Sequence, residues 1–247
     1  MKWCSKTIDI LMKKLSKKAL LVVLGFTFAF QMNAQKEIPK NRPYADLSKY
    51  HFGFYIGTDV QDMKIQNAGF VDDKGTPMFA EIGRLSPGFV VGVIFDLNLM
   101  RDLNLRLLPS LHFADKTFTY SNGNEEIKRF TQRTNLINFP VMFKYSSRRL
   151  NNIRPYVIGG GYGAMYIGQK NQALLKFNTL DFGVSLGMGC DIYLPFFKLC
   201  PELTFSWGFV NNHKTNRPDL KDSPDIIYTQ TIKKSTTKMI TLSFNFE

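Results

Sequence analysis

The side chains that could do chemistry are few. The histidines are His51, His112 and His213, and no two of them have the spacing of a paired-histidine metal site. The cysteines are Cys4, Cys190 and Cys200, with no Cys-X-X-Cys, so neither a zinc site nor a disulfide framework is expected. The run Gly159-Gly160-Gly161-Tyr162-Gly163 has the density of a phosphate loop but lacks the Lys-Ser/Thr and the helix that such a loop needs. It reads as strand glycines that let a sheet bend or let side chains pack. Neither cofactor nor metal is expected. One constellation remains. His112 and Arg106 share a strand face, and Lys144, Asp191, Lys198 and Glu202 fall on the same side of their own strands. Hydrolytic enzymes use His with Ser or acids, and His112 is expected at the outer end of its strand. A narrow barrel interior, however, normally holds satisfied ion pairs, so the six residues are read as a lumen polar network and the protein as a non-enzyme.

The elements that would position these residues are strands. From Tyr50 onward the apolar residues alternate with period two in eight runs, at 50–60, 87–97, 103–113, 135–145, 154–167, 180–194, 197–210 and 237–247. In the sixth, Phe182, Val184, Leu186, Met188, Cys190 and Ile192 alternate with Asp181, Gly183, Ser185, Gly187, Gly189 and Asp191. In the fifth, Tyr156, Ile158, Tyr162 and Tyr166 are placed on the apolar face against Gly159, Gly161 and Gly163. Tyr145, Tyr156, Tyr166 and Trp207 are then interface girdle residues. Each run is near the ~9–11 residues that a tilted strand needs to cross a bilayer. The connections 98–102, 146–153 and 195–196 are short, whereas 61–86, 114–134, 168–179 and 211–236 are long. That alternation is expected of an all-β, eight-stranded antiparallel up-and-down transmembrane β-barrel with both termini in the periplasm. One face is continuously apolar and the other carries Gly, Ser, Asn, Asp, Arg and Lys, the reverse of a soluble lipocalin-like barrel. A two-residue turn at Pro195-Phe196 places Asp191 opposite Cys200 and Cys190 opposite Pro201, so the two thiols point to opposite faces and stay free.

Composition agrees. Aromatic residues make up 14% of the chain and Phe alone occurs 22 times. The mean hydropathy is slightly negative, which excludes a helical membrane protein but not a barrel whose lumen is polar. Lys13, Lys14, Lys17 and Lys18 precede an apolar run from Ala19 to Phe30 and then Ala34-Gln35. A basic segment, a short apolar core and a small residue at the cut make a signal peptide, here over 1–34 with cleavage between Ala34 and Gln35. Met12-Lys13-Lys14-Leu15 begins a tidier signal than Met1, so residues 1–11 read as a mis-called start. Residues 35–49 form a periplasmic lead and 50–247 the barrel. Of the net charge of +12, residues 1–34 contribute six Lys and one Asp, which leaves 26 basic against 19 acidic residues. No nucleic-acid motif accompanies that charge, and outer-membrane lipids are the expected surroundings.

Several segments point to a family. Leu103-Asn104-Leu105-Arg106-Leu107-Leu108-Pro109 with Leu111-His112-Phe113 resembles PorT, an outer-membrane component of the type IX (Por) secretion system. So do Asn138-Phe139-Pro140-Val141-Met142-Phe143-Lys144-Tyr145, the turn Arg149-Leu150-Asn151-Asn152-Ile153-Arg154-Pro155-Tyr156, the turn Tyr193-Leu194-Pro195-Phe196-Phe197-Lys198 and the ending Leu242-Ser243-Phe244-Asn245-Phe246-Glu247. The turns are the more telling, because turns vary freely between unrelated barrels. The resemblance implies a role in exporting cargo and other secretion-machinery proteins as partners, and it supplies no catalytic residues to carry over. An eight-stranded lumen cannot pass a folded protein, so an accessory or assembly role is expected. An outer-membrane enzyme, a small-solute porin and a loop-mediated surface binding protein are the alternatives.

Overall fold

The computed structural model describes residues 39–69, 77–122, 126–168, 175–214, 229 and 231–247. The signal peptide, its cleavage site and Cys4 lie outside them. Residues 40–247 form one compact unit. Ten strand segments build a single antiparallel sheet: β1 (Tyr50–Asn67), β2 (Phe79–Leu85), β3 (Pro87–Met100), β4 (Leu103–Leu107), β5 (Ser110–Ser121), β6 (Glu126–Ser146), β7 (Ile153–Ile167), β8 (Leu180–Tyr193), β9 (Lys198–Gly208) and β10 (Ile232–Phe246). β1 pairs with both β10 and β3, which closes the sheet into a barrel and leaves no edge there.

The ten segments are eight staves. β4 and β5 continue one another: Leu107 faces Val141 and Ser110 faces Asn138, so the register does not change across the break. The break falls at Pro109, opposite a stretch of β6 that contains Pro140, and neither proline can donate to the ladder. β2 and β3 form another stave, interrupted at Ser86, with a register shift against β5 between Ile82 and Arg84. The eight-stranded up-and-down barrel expected from the sequence is therefore the observed one.

The staves outrun their expected limits on the long-loop side. β1 continues to Asn67, β10 begins at Ile232, and the presumed loop 114–134 is largely a β5–β6 hairpin whose strands stop at Ser121 and Glu126. The reason is the loss of hydrophobic contrast. Beyond Phe113 and Ile137 the outward residues are Asp115, Thr117, Arg129 and Arg133, so pairing persists while the alternation used to find strands disappears. His112 consequently lies in the middle of its stave and not at its outer end.

Facing follows the pleat. Phe52, Phe54, Phe89, Val93, Phe139, Phe143, Leu186, Met188 and Leu242 are exposed on the outer wall, whereas Arg106 inside is 0% exposed. That inversion is what hydrocarbon surroundings demand. One stave reverses the expectation. Tyr156, Ile158, Tyr162 and Tyr166 point into the lumen, and Ile153, Val157 and Met165 point out: Tyr156 is 3% exposed and Val157 55%. The tyrosines scored as apolar in a binary pattern, yet the Tyr156 and Tyr166 hydroxyls find partners inside, in Glu202 and Thr237, and the Tyr156 and Tyr162 rings fill space left by glycines on the next stave. A Cβ on Gly183 would lie 2.6 Å from the Tyr162 ring, and one on Gly189 2.4 Å from that of Tyr156. Tyr156 and Tyr166 are thus not girdle residues, whereas Tyr145 and Trp207 do face outward. Apolar side chains also enter the lumen, as a middle cluster with Tyr55, Ile94, Met142 and Tyr156 and a second toward the loop end with Phe118, Tyr120, Tyr166 and Phe177.

At the β8–β9 turn Gly189 faces Glu202 and Ile192 faces Leu199, the register expected. Cys200 is buried in the lumen and Cys190 sits on the other face, both as free thiols.

Candidate functional site

The lumen network assembles around Arg106. Its side chain projects inward from β4 because Leu105 and Leu107 on either side take the outer face. The guanidinium meets Asp96 of β3 at 2.8 Å, Glu247 at 2.6 Å and Glu202 of β9 at 3.5 Å. Glu202 also accepts hydrogen bonds from the Tyr156 hydroxyl at 2.7 Å and from the Asn245 amide at 3.3 Å. Alongside, the Lys144 ammonium donates to both Asp191 oxygens at 2.7 Å and stands 4.0 Å from the centre of the Tyr156 ring. Lys198 pairs with Glu247. Burial alone would push the Glu247 carboxyl up. Arg106, Lys198 and Lys144 outweigh burial and hold it well below the usual carboxylate range. Each of the four carboxylates in this cluster faces at least one cation, which is the condition for burying them.

Five of the six expected network residues, Arg106, Lys144, Asp191, Lys198 and Glu202, meet here. His112 does not. It lies six positions along the stave from Arg106 and belongs to a second group. Its Nδ1 is 2.9 Å from an Asp59 oxygen and its Nε2 is 3.1 Å from the Ser110 hydroxyl, while Gln61 donates to Asp59 at 2.7 Å. All four are buried. Between the two groups His112, Ser185, Glu202, Ser206, Thr241 and Asn245 line a cavity of about 40 Å³, room for a water molecule or so. Sequence reasoning missed Asp59, Asp96, Ser110, Tyr156 and Glu247. The first three lie at lumen positions of strands correctly found, so the signal was available. Tyr156 was lost to the reversed stave, and Glu247 was treated as part of an ending and not as a partner.

The mouth at the short-turn end is closed by residues 41–51. A 3₁₀ turn, Ala45–Leu47, brings Asp46 against the Tyr193 hydroxyl at 2.5 Å and Arg154 at 3.4 Å. Asn41 donates twice across the opening, its backbone N–H to Asn152 Oδ1 and its side-chain amide to the Tyr193 carbonyl. Arg149 stacks on Tyr193, 3.6 Å from the ring centre, and holds the Asn41 and Arg42 carbonyls.

A closed barrel with an apolar outer wall, a charged filled lumen and alternating turn lengths is the architecture of bacterial outer-membrane barrels. The family described as outer membrane protein beta-barrel domain matches residues 20–214. The chain belongs to that family. As an outer-membrane barrel it resides in the outer membrane. Solved structures similar to it include OprG from Pseudomonas aeruginosa (11% identity, TM-score 0.48, covering 81% of this chain and 95% of that one). Neisserial surface protein A is 12% identical with a TM-score of 0.40, covering 78% and 95%. Ail, the attachment invasion locus protein of Yersinia pestis, is 10% identical with a TM-score of 0.35, covering 81% and 99%. No curated protein matches the sequence.

Proposed function

We propose that this outer-membrane barrel is a non-enzymatic accessory component of the type IX protein secretion machinery, acting by binding partners, with both termini in the periplasm. The turn sequences 146–156 and 193–198, which resemble PorT, motivate the choice of machinery. The observation that carries the accessory role is the occupied lumen: the Arg106 and Lys144 ion pairs span it, and residues 41–51 cover its mouth. Such a barrel serves as an anchor and a docking surface, not as a conduit. Deleting the gene tests this. Secreted cargo accumulates in the periplasm, and export returns with the wild-type gene. Normal export in the deletion strain refutes the reading.

A second reading has one observation in its favour, the Asp59–His112–Ser110 relay, whose order matches that of a hydrolase with a serine nucleophile. Its test is labelling of the purified barrel by a fluorophosphonate, and lipid turnover lost in Ser110→Ala. The accessory reading expects neither labelling nor turnover.

A further inference from the structure

The short-turn end carries a depression of about 740 Å³ above the covered mouth. Lys40, Arg101, Arg148, Arg149 and Arg154 line it, against the carboxylates of Asp46 and Asp102. Both carboxylates are already engaged. Asp46 lies at the Tyr193 hydroxyl and the guanidinium of Arg154, and Asp102 takes Arg154 at 3.0 Å. Lys40, Arg101 and Arg148 are exposed, and among the described residues their side chains have no ion pair. The depression thus presents three uncommitted cations over a floor whose own charges are satisfied.

Its position and lining point to an occupant. The depression shares Asp46, Asn98 and Arg154 with a small internal cavity of about 10 Å³ that reaches Lys144, Asp191 and Lys198 below it. It therefore lies over the lumen cavity, between the short turns. Leu47, 77% exposed, lines the same depression, and Met100 and Leu150, next in sequence to Arg101 and Arg149, are exposed at the same end. Cations beside apolar side chains, in a volume suited to several residues of chain, complement a segment that alternates carboxylates with aliphatic groups.

We propose that this depression docks an acidic, leucine-bearing segment of a partner protein, with its carboxylates on Lys40, Arg101 and Arg148 and its aliphatic groups on Leu47. The inference deepens the reading of the protein as a partner-binding component and rests on it for the identity of the partner's compartment. The probe is a fluorescein-labelled peptide alternating Glu and Leu, titrated by anisotropy against the mature barrel in zwitterionic nanodiscs. The comparison is the triple variant Lys40→Glu/Arg101→Glu/Arg148→Glu. All three positions are exposed, and heat-modifiable gel migration verifies that the variant is folded. The expected result is saturable binding that weakens at least about tenfold in the variant and again in high salt, and a Gln/Leu peptide that binds correspondingly worse. Equal affinity in the variant, or for the Gln/Leu peptide, overturns the proposal. So does full competition by millimolar inorganic phosphate, which would make this a small-anion site, or charge-dependent flotation with anionic vesicles in place of peptide binding, which would make it a headgroup site. Peptide binding and cargo export are read separately. Failed binding with export blocked in the deletion strain removes this site alone. Binding retained with export normal removes the secretion role alone.

Discussion

Replacing Arg106 with methionine tests the lumen network most directly. The substitution keeps roughly the aliphatic stem of the side chain but removes the guanidinium that Asp96, Glu202 and Glu247 share at 2.8, 3.5 and 2.6 Å. Breaking a buried ion pair from one side costs about 3–5 kcal/mol, because the surviving charge stays desolvated and unpaired. Three carboxylates meet at this guanidinium, so the upper end of that range is expected. The assay is reversible urea unfolding of residues 35–247 in phosphatidylcholine vesicles, followed by the fluorescence of outward-facing Trp207. Acid supplies a second readout. In the wild type the Glu247 carboxyl titrates below its ordinary value, which is ~4.3. Its contribution is therefore complete above that value and is lost as the pH falls through the depressed one. In Arg106→Met the Glu247 carboxyl keeps only Lys198 and Lys144 to hold it down, so the stability lost in acid is smaller than in the wild type. Asp96→Asn added to Arg106→Met recovers part of the loss at neutral pH. A loss under about 1 kcal/mol, within the range of an exposed ion pair, or an acid-dependent loss as large in the variant as in the wild type, would refute the reasoning.

The reversed β7 is checked by Val157→Arg, which places a cation in lipid and costs about 2–4 kcal/mol by the same unfolding measurement; a neutral outcome would return Tyr156 to the outer wall. Gly189→Ala drives a methyl group to 2.4 Å from the Tyr156 ring and costs about 1–3 kcal/mol, visible as a lower urea midpoint at unchanged slope. Cys190 reacts with a lipid-soluble maleimide in the folded barrel and Cys200 only after unfolding, and peptide mapping under non-reducing conditions finds no bond between them; equal labelling would move the β8–β9 register.

Legibility tracked hydrophobic contrast. β8 could be read to within one residue because large apolar groups alternate with glycine, serine and aspartate throughout. The β8–β9 register followed from one two-residue turn, and with it the separation of the thiols. Contrast failed in two ways. In β7 both faces carry residues of ambiguous class, tyrosine on one and glycine on the other, and facing was settled by what the neighbouring staves leave room for: Gly183 and Gly189 admit the rings of Tyr162 and Tyr156. Past Phe113 the hairpin continues where neither face has to be apolar outside the bilayer, so it looked like loop. The network showed the same division. Lumen facing identified Arg106, Lys144, Asp191, Lys198 and Glu202, but the separation of His112 into a group with Asp59 and Ser110 depends on how far along each stave a residue sits, and that depends on shear. The cover over the mouth had no periodic signal at all; it is held by individual hydrogen bonds that Asn41 and Arg149 donate and Asp46 accepts.

The β5–β6 hairpin bears on how this protein would be recognised from the loop side. Its two strands keep their pairing through Phe118↔Phe130 and Thr119↔Arg129, with the Thr117 and Thr131 hydroxyls 3.0 Å apart on the outer face and Phe118 and Tyr120 stacked on Phe130 on the inner one. A binder meeting this hairpin finds a shape already set, and little conformational freedom has to be surrendered on contact. Antibodies raised against the folded barrel would therefore recognise discontinuous epitopes on the hairpin, fail on denatured blots, and compete poorly with linear peptides from 114–121 or 126–134.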